Sequence, residues 1–247
     1  MSKIAAVIPA RYASSRLPGK PLIDILGKTL IQRVVEQVQK SSLIDTIIVA
    51  TDDQRIYDHV KSFGGSAILT PAFETGTDRV AHVAKNLDVS YILNVQGDEP
   101  MIDPNALDQM ASVLKQGNAD IVTLCTKIEE ADLLFDFNAV KVVRNKADMA
   151  LYFSRQAIPA LRDLPFSKWI EETDYFQHLG VYGFEASVLS DISILPVSRL
   201  ENAEKLEQLR WMEEGYSIAC LPVQHKGIGI DTQEDLDRYL SILSNDI

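Results

Sequence analysis

The segment IAAVIPARYASSRLPGKPL, residues 4–22, decides the fold. Its opening, IAAVI (4–8), is a short apolar run bounded by Pro9, which reads as a buried β-strand. The rest, IPARYASSRLPGKPL (8–22), sets Arg11, Arg16 and Lys20 within ten residues, between prolines and beside Gly19. Open α/β sheets bind ligands outside the carboxyl ends of their strands, where this segment would lie. Arg11, Arg16 and Lys20 can neutralise successive phosphates, Ser14 and the loop amides can donate hydrogen bonds, and Gly19 permits close backbone approach. The Walker pattern G-x-x-x-x-G-K-[ST] is absent, so this is a different kind of phosphate loop. The competing reading is a solvated basic loop punctuated by prolines.

Working outward, TIIVA (46–50), YILNV (91–95) and DIVTL (120–124) repeat the short β-branched pattern of the first strand. Between them Leu30, Val34, Val35 and Val38 recur at helical spacing, as do Ile56, Val60 and Phe63 before Gly64-Gly65. Alternating strands and helices predict a doubly wound α/β fold with a mainly parallel sheet. After about residue 127 the alternation weakens. AVKVV, ALYFS and HLGVYGF read as strands without long helices between them, which predicts a smaller strand-rich excursion over 130–185 within one domain spanning 1–247. The stretch 159–174 has neither periodicity and predicts a mobile loop. Residues 199–214 restore a helical pattern, and 232–243 predict a terminal helix opened by Asp231-Thr232 with Glu234 and Asp235 in its first turn.

The net charge of −11 argues against a nucleic-acid binder, which needs a broad cationic face. A local cationic cluster on an acidic chain suits a small anionic ligand instead. Cys125 and Cys220 lie in apolar runs and read as small buried hydrophobes, which argues against redox or zinc chemistry. No stretch approaches the length of a membrane-spanning helix, so the reading is a soluble cytoplasmic protein without a membrane partner.

The second chemical signal is NVQGDEP (94–100), directly after YILNV. Asp98 there points to the same strand ends as the basic loop and offers the hard oxygen that Mg²⁺ favours; the ion needs only one or two carboxylates when phosphates complete its shell. Asp231, in GIGIDTQEDL, is a candidate for the second. Each has a plainer reading, Asp98 as a turn residue and Asp231 as a helix cap.

With these residues in place the chain resembles the 3-deoxy-manno-octulosonate cytidylyltransferase family. IPARYASSRLPGKPL, ATDD, TGTDR, NVQGDEPMI, NAVKVV, ALYFSRQAIP, HLGVYGF, LEQLR and GIDTQEDL occur in the family's order and approximate spacing over nearly the whole chain. The resemblance implies the nucleotide-diphospho-sugar transferase type of fold. It also implies transfer of a cytidylyl group from CTP to the sugar acid, pyrophosphate release, a Mg²⁺ cofactor, a homodimer through 130–185 and a role in lipopolysaccharide synthesis. It assigns Arg11, Ser14, Arg16, Lys20, Thr75, Gly76 and Arg79 to the nucleotide, and Asp98 and Asp231 to the metal. Asp98, Lys20 and Arg16 become the residues closest to the chemistry. Gln96, Arg155, His178, Tyr182, Glu207 and Gln208 go to the sugar acid, with Arg155 facing its carboxylate and the others its hydroxyls. Read without the resemblance, His178 is as readily a structural histidine and Glu207 a solvated helix position. Two alternatives stay open: the same reaction on a related acceptor such as the 8-amino sugar acid, and a nucleotide sensor without turnover.

Overall fold

The computed structural model describes residues 2–13, 16–224 and 229–245. The chain divides into two compact units, residues 1–111 with 225–247, and residues 112–224.

The first unit starts with β1 (Ile4–Ala10), almost every residue of which is buried. A small hairpin, β2 (Asp24–Ile25) and β3 (Lys28–Thr29), leads into α1 (Leu30–Val38). Thr29 caps this helix by accepting from the Gln32 amide, and Leu30, Ile31, Val34, Val35 and Val38 form its buried face. Then come β4 (Thr46–Thr51), α2 (Gln54–Ser62), β5 (Ala67–Leu69), α3 (Gly76–Ala84), β6 (Tyr91–Asn94) and α4 (Pro104–Gln116). The strands of this unit lie in the order β6-β1-β4-β5, all parallel. Their order reverses around β1, since β4 and β6 flank it on opposite sides. The crevice beside the carboxyl end of β1 is therefore the topological switch point. The C-terminal helix Gln233–Asn245 returns to this unit.

The second unit contains β7 (Ile121–Lys127), α5 (Ala131–Phe135), β8 (Lys141–Arg144), β9 (Ala150–Ser154), α6 (Trp169–Glu172), β10 (Phe176–Glu185), α7 (Ala186–Ile192), α8 (Arg199–Glu204), α9 (Gln208–Glu213) and β11 (Ile218–Pro222). β7 pairs with β11 in parallel and with β10 antiparallel, while β8 pairs antiparallel with β9 and β10. The unit thus reaches beyond the 130–185 excursion on both sides, because β7 and β11 pair with each other. Cys125 and Cys220 are free and buried on these two strands.

Two local expectations differ from what the fold contains. Residues 159–174 are not a plain loop: Phe166–Lys168 forms a 3₁₀ turn running into α6. Trp169 is buried there with Ile128, Leu134 and Tyr175, and stacks on the Tyr175 ring. Nor is 199–214 one helix. Lys205 adopts φ 53°, ψ 47°, which ends α8 and lets α9 begin on a new axis at Gln208.

Candidate active site

The basic loop is held by contacts within the protein itself. Gly19 takes φ 69°, and a side chain on it would press within about 3.1 Å of the Tyr12 ring. Its amide donates to the Tyr12 carbonyl at 3.1 Å. The Arg55 guanidinium lies 3.3 Å above the Tyr12 ring centroid and is itself tied to Asp53. This cation–π stack fastens the loop to α2. Ser14 lies outside the described residues.

In the turn after β6, Gly97 passes so close to β1 that a Cβ would sit 2.9 Å from the Pro9 carbonyl oxygen. The glycine therefore lets the QGDE turn fold against β1 and delivers Asp98 to the crevice. The Ile230 amide donates to the Asp98 carbonyl at 2.9 Å, which brings the 229–232 segment alongside. Helix capping at the last helix falls to Thr232, whose hydroxyl accepts from the Asp235 amide while Asp235 accepts from the Thr232 amide. The Asp231 carboxylate is thereby released from capping and turns to the loop, against the plainer reading of that residue.

The outcome is a four-charge cluster. Lys20 Nζ donates to Asp98 Oδ2 at 2.7 Å and to Asp231 Oδ1 at 2.8 Å, and Arg16 Nη2 donates to Asp231 Oδ2 at 2.8 Å. Burial alone would lower the Lys20 pKa, but Asp98 and Asp231 outweigh it and hold the ammonium above its ordinary value. Burial likewise works against Asp231, yet its bonds to Lys20 and the charge of Arg16 keep its carboxyl below the usual range. Glu99, which the motif reading passed over, behaves differently. Burial, reinforced by Asp98 and Asp231, pushes its carboxyl up to about 8. Near neutral pH it is mostly protonated, so the cluster holds two carboxylates against two cations.

Arg16, Lys20, Asp98 and Asp231 line a cleft of about 240 Å³ together with Arg11, Thr75, Gly76, Arg79 and Gln96. Thr75 spends its hydroxyl on capping α3 by accepting from the Asp78 amide at 3.0 Å. That places the α3 N-terminus, with its partial positive charge, on the cleft. Arg79 is buried, and its terminal nitrogens donate to Thr70 Oγ1 at 2.7 Å and Asp52 Oδ2 at 2.9 Å. Its charge is already balanced, so it braces the wall of the cleft. Arg11 is exposed at the rim.

The remaining expected residues, Arg155, His178, Tyr182, Glu207 and Gln208, lie in the second unit. β10 carries an irregularity there: Leu179 pairs with Leu124 but Tyr182 pairs with Thr123, so Gly180 and Val181 are extra residues. In a regular strand residues 178 and 182 would stand about 13 Å apart. The bulge closes the gap between the His178 and Tyr182 ring centroids to 5.3 Å. The break at Lys205 serves Arg155. Its Nε donates to the Glu204 carbonyl at 2.7 Å, Nη2 to the Lys205 carbonyl at 3.3 Å and Nη1 to the Phe137 carbonyl at 2.9 Å. The guanidinium thus caps the end of α8, and among the described residues no carboxylate neutralises it. Glu207 accepts from Arg210 at 3.0 Å, and Gln208, which opens α9, is buried. The Tyr182 phenol is raised well above its usual range by burial and by Glu207, so it remains a hydrogen-bond donor at neutral pH.

Parallel strands around a switch point, a cation-rich loop after β1, Asp98 in the turn after β6 and Asp231 just before the last helix define a nucleotidyltransferase-type α/β protein. The same fold is seen in 4-diphosphocytidyl-2C-methyl-D-erythritol synthase from Anaerococcus prevotii, with a TM-score of 0.64 at 16% identity, covering 98% of this chain and 96% of that one. A cytidylyltransferase family model matches residues 5–218. The chain is 43% identical to 3-deoxy-manno-octulosonate cytidylyltransferase of Parabacteroides distasonis, covering 99% of this chain and all of that one. It is 46% identical to the Cytophaga hutchinsonii protein of the same name, covering 95% of each. The solved structure of a CMP:2-keto-3-deoxy-manno-octonic acid synthetase complexed with CTP superposes with a TM-score of 0.93 at 40% identity, covering the whole of both chains. The chain belongs to the 3-deoxy-manno-octulosonate cytidylyltransferase family.

Proposed function

We propose that this protein transfers the cytidylyl group of CTP to 3-deoxy-manno-octulosonate, releases pyrophosphate, and does so with Mg²⁺ held by Asp98 and Asp231. The observation that carries the reading is the convergence of both carboxylates on one ammonium beside a cation-rich loop. Lys20 Nζ stands where a small cation satisfies both carboxylates, and two hard oxygen ligands suit Mg²⁺ when a triphosphate supplies others. Bound there, the ion would acidify the attacking hydroxyl and stabilise charge on phosphorus.

The rest falls to the chain's own residues. The anomeric hydroxyl of the sugar acid gives up its proton to solvent as its oxygen attacks the α-phosphorus; a new P–O bond forms and the bond from the α-phosphorus to the oxygen bridging it to the β-phosphate breaks. Arg16 and Lys20 leave their carboxylates for the β- and γ-phosphates and neutralise the departing pyrophosphate, while Arg11 and the loop amides hold the triphosphate. Arg155 keeps two of its five N–H donors for the sugar carboxylate. Gln96, His178, Tyr182, Glu207 and Gln208 supply donors and acceptors for the hydroxyls, which orients the nucleophile.

The product is an activated sugar for lipopolysaccharide assembly, and the need for CTP assigns the reaction to the cytoplasm. No helix among the described residues is long and apolar enough to cross a membrane. A homodimer through 130–185 is supported by Phe135, Phe137 and Phe166, which stand 41%, 58% and 67% exposed in that region. The test is a turnover screen of CTP, UTP, ATP and GTP against a panel of sugar acids with and without Mg²⁺. The reading requires turnover with CTP and 3-deoxy-manno-octulosonate only when Mg²⁺ is present, and a clear preference for another nucleotide would overturn it.

A further inference from the structure

Thr123 is fully buried on β7, and its hydroxyl meets three groups. The Val181 carbonyl lies at 2.7 Å, the Leu179 carbonyl at 3.2 Å and His178 Nε2 at 2.9 Å. Both carbonyls face the hydroxyl because the bulge at Gly180–Val181 turns them off the ladder.

A threonine hydroxyl has one proton and accepts through its lone pairs, whereas a carbonyl oxygen can only accept. If the proton went to His178 Nε2, Oγ1 would face the Val181 oxygen at 2.7 Å with no hydrogen between them, and the two would repel. The proton therefore goes to a carbonyl. The 2.9 Å contact must then run the other way, with His178 Nε2–H donating to Oγ1. A neutral imidazole protonated on Nε2 has a bare lone pair on Nδ1. The ring is neutral in the working pH range, because burial pushes its pKa down to about 3. Phe153 meets it edge-on at 4.9 Å and Tyr182 lies at 5.3 Å, so aromatic walls fix its plane. Nδ1 has no hydrogen-bond partner among the described residues.

We propose that Thr123 is a positioning residue that locks His178 in the Nε2–H tautomer, so that Nδ1 is an obligate acceptor for a hydroxyl donor on the sugar acid. The ligand half rests on the reading of His178 as a sugar contact; the lock itself does not. Thr123 acts through His178 and touches no substrate. The arrangement selects for a sugar O–H that can donate and against an ether or a deoxy centre at the same place, since neither offers a proton to Nδ1. Threonine is needed because it must both give one proton and receive another; valine of the same shape can do neither.

The experiment is ¹⁵N NMR of the full-length protein labelled at histidine, free and with 3-deoxy-manno-octulosonate added, alongside kinetics of Thr123→Ser and Thr123→Val. In the free protein His178 should show a protonated Nε2 and an unprotonated Nδ1 throughout pH 6–8. Adding the sugar acid should shift Nδ1 more than Nε2. Thr123→Ser should keep the tautomer and the KM for the sugar acid, whereas Thr123→Val should raise that KM about three- to tenfold with little change in the KM for CTP. A proton on Nδ1 in the free wild-type protein overturns the lock, and this result needs no variant to fold. A correct tautomer with an Nδ1 resonance indifferent to the sugar acid overturns the ligand half and removes His178 from the sugar site. Equal losses for both substrates in Thr123→Val, unrelieved in Thr123→Ser, would reduce Thr123 to scaffold and also overturn the proposal.

Discussion

Replacing Lys20 with alanine tests whether its ammonium holds the place of a cation. The side chain is 13% exposed and bridges Asp98, 29% exposed, to Asp231, 45% exposed. The Asp98 limb resembles a charged hydrogen bond in a partly buried setting, worth about 1.5–3 kcal/mol. The Asp231 limb is screened by water, and about 0.5 kcal/mol suffices for it. Without Lys20 the two carboxylates also repel each other, so a loss of about 2–3 kcal/mol follows. For a protein of this size each kcal/mol moves Tm by about 2–4 °C. Lys20→Ala should therefore melt about 5–10 °C lower in chelator. Its destabilisation should also be relieved by millimolar Mg²⁺ more than the wild type gains, because the ion no longer competes with an ammonium. Differential scanning calorimetry with and without Mg²⁺ measures both effects. A variant with unchanged Tm, or one that responds to Mg²⁺ less than the wild type, would refute the stand-in argument.

Further expectations follow from the same geometry. Asp98→Asn should keep its fold by circular dichroism and lose at least about a hundredfold in kcat, because it removes a metal-binding charge from the reacting centre; near-normal turnover would exclude Asp98. Arg155→Ala should lower kcat/KM for the sugar acid about ten- to a hundredfold and leave calorimetric CTP binding intact, with Arg155→Lys recovering only part; equal losses for both substrates would mark it as a brace for α8. The Glu99 carboxyl is raised from 4.5 to about 8, so the folded state holds more protons than the unfolded one between those values, and stability of the metal-free protein should fall as pH rises across that window. Glu99→Gln should flatten that decline in a Tm-versus-pH series, and an unaltered slope would assign the pH dependence elsewhere.

Much of the fold was legible because its strands are apolar runs and its helices obey a simple period. β1, β4, β6 and β7 each coincide with such a run, and the carboxyl-edge rule then located the loop and Asp98 without coordinates. What escaped depends on backbone conformation or on partners far away in sequence. Nothing in ENAEKLEQLR (201–210) signals that Lys205 turns left-handed, yet that turn presents the carbonyls that Arg155 grips. The single turn at 166–172 is held by Trp169 stacking on Tyr175, a tertiary contact invisible to periodicity. Arg79 lines the cleft, and its ion pair with Asp52, 27 residues earlier, is a partner that the TGTDR motif does not signal. Glu99 did leave a signal, two adjacent carboxylates after a buried strand, but its burial could not be read from the motif.

The central claim is most directly tested by following the phosphorus. In ³¹P NMR of purified protein with CTP, 3-deoxy-manno-octulosonate and Mg²⁺, the triphosphate signals should be replaced by free pyrophosphate and one phosphodiester of the CMP-sugar. The change should require acceptor and metal together and should vanish in Asp98→Asn. Pyrophosphate release without the sugar acid, loss of inorganic phosphate in its place, or an unchanged CTP spectrum with folded protein would contradict the account.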